Sequence, residues 1–578
     1  MFNPSHLLGI FSAFNASHFE TLDFTALAGA AQPNRLGGVV QMRPFAIKDG
    51  GVDSLVHRER KVEGAELNVG PMSSQGTIRV RPNGKLLFVA SVRQAYMNLL
   101  YGKWLDFDGS PLRYSFGDYN VTLSYRPSMR HRFDLNAYFG QDRASYTEGA
   151  HLMHVRLNWL NYAAEASWRV MDKSWQLTQR LVASGYQNDF RLRQAGQKMS
   201  LPSHIRQYGY QAEWNCNSWQ IGGSYSLYQI LPQSPQIEST YTQIETDRQE
   251  KGVAHEANVY AGWQYGWHDG QWVLKPEGRM TYYRDVDQKS WFSISPMLTL
   301  SWQAAPQHRF GVQLSVANQY VQQTGFTSLG LPTEFWFSAS RELKPQRAEG
   351  LSLLYDGQTP NNAWAFTANA YVKRLHHQKE YKDNVLDLIN EAYSLNKSLL
   401  QGRGLNYGFG VQLTRQSGPV TAWVGYAFGR SLRKFPELRE RSSYPANHER
   451  VHEFNLVATW QALKRVTFTC SAVFASGTPF TSANEFYLMN GYVVAQYGKH
   501  NGCHLPWYKR VDMAVNVDLK QKKQRHFRHG FNVSLFNAFG FNNPLFYRLR
   551  IRRDGNFRFA PVCFLKYPLP SFSYYIKY

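Results

Sequence analysis

Apolar side chains recur at every second position through much of the chain. Between Val511 and Leu519, residues Val511, Met513, Val515, Val517 and Leu519 share one face, while Asp512, Ala514, Asn516 and Asp518 share the other. A period of two is that of a strand, whose side chains alternate between faces. A helix would scatter those five apolar residues around its circumference. The pattern returns at Val466, Phe468, Cys470, Ala472 and Phe474, interleaved with Thr467, Thr469 and Ser471, and again at Leu405, Tyr407, Phe409, Val411 and Leu413. Alternation up to Tyr125 and from Phe133 to Phe139 brackets the polar stretch Arg126–His131, which reads as a hairpin. Pro82-Asn83-Gly84, His268-Asp269-Gly270 and Gln416-Ser417-Gly418 supply further tight turns, built from residues that tolerate positive φ. Longer polar or aromatic intervals, about 187–202, 230–252, 320–345, 376–401, 430–447, 476–506 and 543–568, read as loops.

Short turns alternating with long loops are the asymmetry of an outer-membrane barrel, with turns periplasmic and loops outside. Counting from about residue 60 gives about 22 strands. An even number returns the C-terminus to the periplasm, and a barrel of that size is too wide for side chains to fill and is usually plugged. The expected fold is therefore all-β, a transmembrane antiparallel β-barrel over residues 51–578, with a short N-terminal plug remnant over residues 1–50. Composition agrees. Aromatic residues make up 15% and charged residues only 18%, yet mean hydropathy is −0.46. A barrel wall needs lipid-facing side chains only at alternate positions and carries aromatic girdles at both interfaces. No apolar run is long enough for a spanning helix, so a chain that crosses a bilayer must do so as a closed barrel. A propeller would show a repeated signature every 40 to 50 residues or so, and none is present.

The formal charge of +22 is spread along the chain without a nucleic-acid motif, which fits a basic lumen and loops rather than nucleic-acid binding. Cys216, Cys470, Cys503 and Cys563 are far apart and form no disulfide framework or zinc motif. No nucleophile elbow, metalloprotease motif or P-loop is present. Asp106-Phe107-Asp108-Gly109 opens like a calcium loop but lacks the later ligands. His376-His377 and His526 with His529 read as solvated loop or turn residues. No catalytic, metal or cofactor site is expected, and a barrel enzyme is the least favoured reading.

At the C-terminus, Phe572, Tyr574, Ile576 and Tyr578 share one face. An aromatic final residue with apolar residues at every second position before it resembles the signal read by the barrel-assembly machinery. Other segments resemble the TonB-dependent receptors of Bacteroidetes type. Asn3-Pro4-Ser5-His6-Leu7-Leu8-Gly9 with Phe11 and Phe14-Asn15 is similar to the end of their plug domain. Asn34-Arg35-Leu36-Gly37-Gly38-Val39-Val40 resembles the plug-to-barrel junction, which assigns Arg35, Leu36, Gly37 and Gly38 that place. Leu329-Gly330-Leu331-Pro332-Thr333-Glu334-Phe335-Trp336 with Leu343-Lys344-Pro345-Gln346 resembles an extracellular loop. Tyr444–Glu453, Ala475–Phe480, Phe536-Asn537 and Asn543-Pro544 resemble later segments of the same barrels.

The resemblance implies an outer-membrane receptor that imports a solute such as a siderophore, glycan or peptide. Ligand would bind at the loops and plug, and the inner-membrane TonB complex would pull on a TonB box. Loop aromatics Trp336 and Tyr487 are candidate ligand contacts, and outer-membrane lipid and a surface lipoprotein are candidate partners. A receptor of this family carries a signal peptide, a TonB box and a longer plug, so the chain is expected to be truncated, with TonB engaged only through a missing N-terminal region. The alternatives are a passive pore, because about 50 residues of plug should not fill so wide a lumen, or a non-functional fragment.

Overall fold

Each stretch of alternating residues becomes one strand of a single closed antiparallel sheet. In the computed structural model, the described residues are all but 8–11, 13, 48–61, 100, 103–105, 108–109, 149–152, 195–196, 234–235, 240–250, 326–333, 382–394, 439–441, 490–491, 521–526, 552–556 and 564–565. Among them, 22 strands close the barrel, matching the sequence count. Every pairing is antiparallel, and successive strands are neighbours. The ring is sealed where Val62–Val69 meets Leu569–Lys577, with Glu66 opposite Lys577 and Val69 opposite Tyr574.

The two faces of the wall follow the alternation. Leu181, Val259, Phe292, Ile294 and Leu353 are exposed on the outside, where lipid replaces water. Asp118, Thr281 and Ser295 are wholly buried on the inside. Near the short turns the outer face is aromatic: Trp219, Trp263, Tyr265, Trp267, Trp272, Trp302 and Phe310 stack in succession at centroid spacings of 5.3–5.9 Å. Phe468 belongs to the same girdle, stacked on Trp460 at 5.5 Å and close to the turn at 464–465. Interfacial rings of this kind fix the height of a barrel in the bilayer.

The tight turns sit where the sequence puts them. His268, Asp269 and Gly270 adopt φ of 49°, 53° and 80°, and Gly418 adopts 96°. The interval 187–202 differs. It is not a loop but the continuation of Trp175–Gln194 and Gln197–Cys216, paired residue by residue up to Gln194 opposite Gln197. Its polarity misleads because this hairpin rises beyond the lipid, where its outer face needs no apolar residues. The interval 320–345 differs too. It carries a short hairpin, Val321–Thr324 with Phe335–Ser338, whose second strand is buried along its whole length. The 50/51 domain boundary falls within residues outside the described ones.

Candidate functional site in the barrel lumen

The N-terminal residues lie inside the barrel, tied to its wall by side chains that strand alternation turns inward. Asn161 Nδ2 donates to the Asn3 carbonyl at 2.8 Å, and Trp159 Nε1 to the Ser5 carbonyl at 3.2 Å. Lys373 Nζ holds the carbonyls of Ala26 and Leu36 at 2.9 and 3.2 Å. Asn34 Nδ2 donates to Thr281 Oγ1 at 3.1 Å, and the Ile47 amide to Ser124 Oγ at 3.3 Å. Buried backbone groups of the segment thus find wall partners, as buried polar groups must.

Two histidines of this segment are buried in opposite surroundings. His18 lies between Ser91 Oγ (2.8 Å) and Thr122 Oγ1 (3.0 Å), and burial pushes its pKa down to about 4, so it is neutral. His6 lies between Asp142 Oδ1 (2.9 Å) and Asp118 Oδ2 (3.1 Å). Burial alone would lower its pKa, but the two carboxylates hold it above the ordinary 6.5. Opposite directions from similar burial come from the partners.

Residues Arg35–Gly38 lie within the lumen, between two paired strands, Phe19–Thr25 and Val39–Pro44. They turn that luminal hairpin, and the first wall strand among the described residues begins at Val62. Gly38 has φ +110°, and a Cβ there would stand 2.7 Å from the Thr25 carbonyl. The Leu36 amide donates to Gln319 Oε1 at 3.1 Å. Arg35 packs over the Trp336 ring, 5.8 Å from its centroid.

Trp336 and Tyr487 are not brought together in one site by any shared element. Trp336 is on the inward hairpin, only 8% exposed, edge-on to Phe2 at 5.0 Å. Tyr487 is on the separate hairpin Ala483–Met489 with Tyr492–Tyr497 and is exposed. The tryptophan pattern marked a loop but could not show that the loop folds inward. Phe2, Leu7, Tyr114, Trp159, Tyr228 and Tyr283 belong with Trp336 to one buried apolar cluster. The upper lumen is therefore packed. Below it, a cavity of about 1320 Å³ remains, lined by Arg132, Glu165, Arg180, Glu213, Lys275 and Glu277 from the wall and by Val40 and Met42 of the luminal hairpin. In the metal-candidate positions, His377 is a bulge residue bonded to the Pro345 carbonyl at 3.0 Å. Asp108, Gly109 and His526 lie outside the described residues. Phe572 is exposed on the outer face of the last strand, in line with Tyr574 and Ile576.

A closed barrel with an N-terminal segment seated inside it matches a known family in sequence as well. The TonB dependent receptor-like β-barrel family matches residues 87–543. The chain belongs to that family. TonB-dependent receptors are outer-membrane transport proteins, not enzymes. Solved structures share the fold. The ferripyoverdine receptor of the Pseudomonas aeruginosa outer membrane aligns with a TM-score of 0.64 at 9% identity, over 97% of this chain and 76% of that one. The siderophore receptor PiuA of Acinetobacter baumannii aligns at 0.65 and 9%, over 97% and 86%. The FrpB iron transporter of Neisseria meningitidis aligns at 0.64 and 11%, over 97% and 87%. A search of curated proteins finds no match.

Proposed function

We propose that this TonB-dependent receptor barrel is a gated importer of a solute of the siderophore, glycan or peptide class, closed at rest. The observation that carries this reading is the division of the lumen. Its upper part is packed by Phe2, Leu7 and Trp336, while a cavity of about 1320 Å³ with charged side chains in its lining stays open beneath. A passive pore has no use for an apolar constriction built from two separate chain segments. Ligand meets the outer loops first, and exposed Tyr487 offers a ring for stacking on a sugar or catechol-like face. Passage then requires that the Trp336 hairpin and the N-terminal segment separate. The barrel-assembly machinery reads Phe572, Tyr574, Ile576 and Tyr578 during insertion. The three structural relatives are a ferripyoverdine receptor, a siderophore receptor and an iron transporter, which supports the siderophore class first.

The test is reconstitution in a planar bilayer. A gated importer stays closed without ligand or denaturant. Steady, poorly selective conductance from the folded barrel under those conditions would falsify the reading and return the passive pore.

A further inference from the structure

One group of charges in the lumen is buried so completely that its balance must be nearly neutral. His6, Asp118, Asp142 and Arg93 have side chains only 0–7% exposed. They come from the N-terminal segment and from three wall strands, Leu86–Ala95, Ser110–Tyr125 and His131–Glu148. Arg93 Nε donates to Asp118 Oδ2 at 2.9 Å, and its Nη2 contacts the same carboxylate. Arg93 Nη2 also donates to the Ser12 carbonyl at 2.6 Å. Tyr138 and Tyr114 donate to Asp118 and Asp142 at 2.9 and 2.6 Å, and Tyr114 Oη accepts the Leu7 amide at 3.1 Å. The imidazole stacks on Phe116 at 4.0 Å.

Two carboxylates face one guanidinium, so with both carboxylates ionised the described group carries one uncompensated negative charge unless His6 is an imidazolium. Both imidazole nitrogens face a carboxylate oxygen, which accepts and never donates when ionised. Arg93 Nη2 stands 3.2 Å from His6 Nε2 and opposes the second positive charge. Two hydrogen-bonded carboxylates outweigh that one contact. A buried charge left without its counter-charge is costly.

We propose that His6 is a proton-charged latch: the imidazolium fastens the N-terminal segment to the barrel wall, and loss of its proton frees that segment. The latch deepens the gated reading, since the fastened segment is half of the constriction. The sign follows from linkage. Seating is strongest below the free imidazole's value near 6.5. It weakens by up to about tenfold per pH unit from there to the raised value in the cluster. A pH shift within that window would then set how readily the segment lets go.

The full chain in planar bilayers tests this, with urea raised until the barrel conducts, at pH 5.5 to 8.5. The wild-type threshold should fall as pH rises. His6→Gln should give a low threshold at every pH. Adding Asp142→Asn to it restores neutrality with Arg93 and Asp118, and the threshold should become high and flat. If His6→Gln fails to fold, Asp142→Asn alone decides. There the neutral imidazole gives the balanced state, so the threshold should rise with pH. A pH-independent wild-type threshold, or an Asp142→Asn profile of the wild-type sign, would overturn the latch. Conductance without urea would instead sink the gated reading, so the two failures are distinct.

Discussion

The Trp336 ring meets the Phe2 ring edge-on at 5.0 Å, joining an inward-folded loop to the N-terminal segment across the lumen. Replacing Trp336 with alanine removes a buried aromatic, a change that costs about 3–5 kcal/mol in a packed core. The wall is untouched, so the loss should fall on closure rather than on folding. Trp336→Ala is expected to remain heat-modifiable and to conduct in bilayers at lower urea than the wild type. An unchanged threshold would mean that the hairpin does not share in the seal.

Adjacent leucines offer a sharper test of inside and outside. Leu353 pairs with Val312 and Ala370 on the lipid face, while Leu354 pairs with Gly311 and Asn369 on the luminal face. Both are exposed. Leu353→Arg is expected to cost about 2–4 kcal/mol near the bilayer midplane, and Leu354→Arg to be tolerated. Urea titration of folding into liposomes measures both. Equal penalties would contradict the assignment. Phe468 is a poorer probe, because its place in the aromatic girdle reduces the penalty to about 0–1 kcal/mol.

Much of this was legible in the sequence, and the reasons differ by element. Strand number and facing came from period two, because lipid on one side and water on the other impose it on every residue of the wall. Turns came from residue types that tolerate positive φ, which His268, Asp269, Gly270 and Gly418 adopt. The hairpin above the membrane at 187–202 was not legible, since a strand with water on its outer face loses the apolar half of the pattern. The burial of Trp336 was hidden as well, because a tryptophan in a polar loop looks the same whether the loop swings out or folds in. His6 appeared only as part of a family-like motif. Its partners at 118 and 142 are more than a hundred positions away, and no local pattern ties them.

Gly38 is a residue that a side chain should disrupt. With φ +110° and the Thr25 carbonyl in the place of a Cβ, Gly38→Ala carries strain of about 1–3 kcal/mol. Because the luminal hairpin is a two-stranded sheet of its own, outside the wall's strand ladder, the expected result is a normal barrel with residues 19–44 exchanging amide hydrogens faster. Hydrogen–deuterium exchange by peptide checks this. Faster exchange in the wall strands instead would refute a local role.

The last strand separates assembly from stability. Phe572 is outward and exposed, opposite Val533, and its side chain makes no ladder bond. Phe572→Asp with Tyr574→Asp should block insertion in cells carrying an export signal. Phe572→Ala alone should slow insertion while leaving the finished barrel as resistant to heat. Normal insertion rates for both variants would show that these side chains are not read during assembly.

The seam between Glu66 and Lys577 also sets a timetable. These two residues are partners in space but stand more than five hundred positions apart in sequence, joined by four register pairs from 66–69 and 574–577, by the backbone bonds between Ala65 and Tyr578 and by their own ion pair. Until the final strand arrives, both sheet edges offer unpaired amides and carbonyls, an invitation to wrong partners. The ring cannot be finished piecemeal from local contacts, and contacts of such long range make for slow folding. A cell making this protein must therefore shield an open ribbon until those two strands meet. Its quality control has one late event to monitor: whether the circle has been completed.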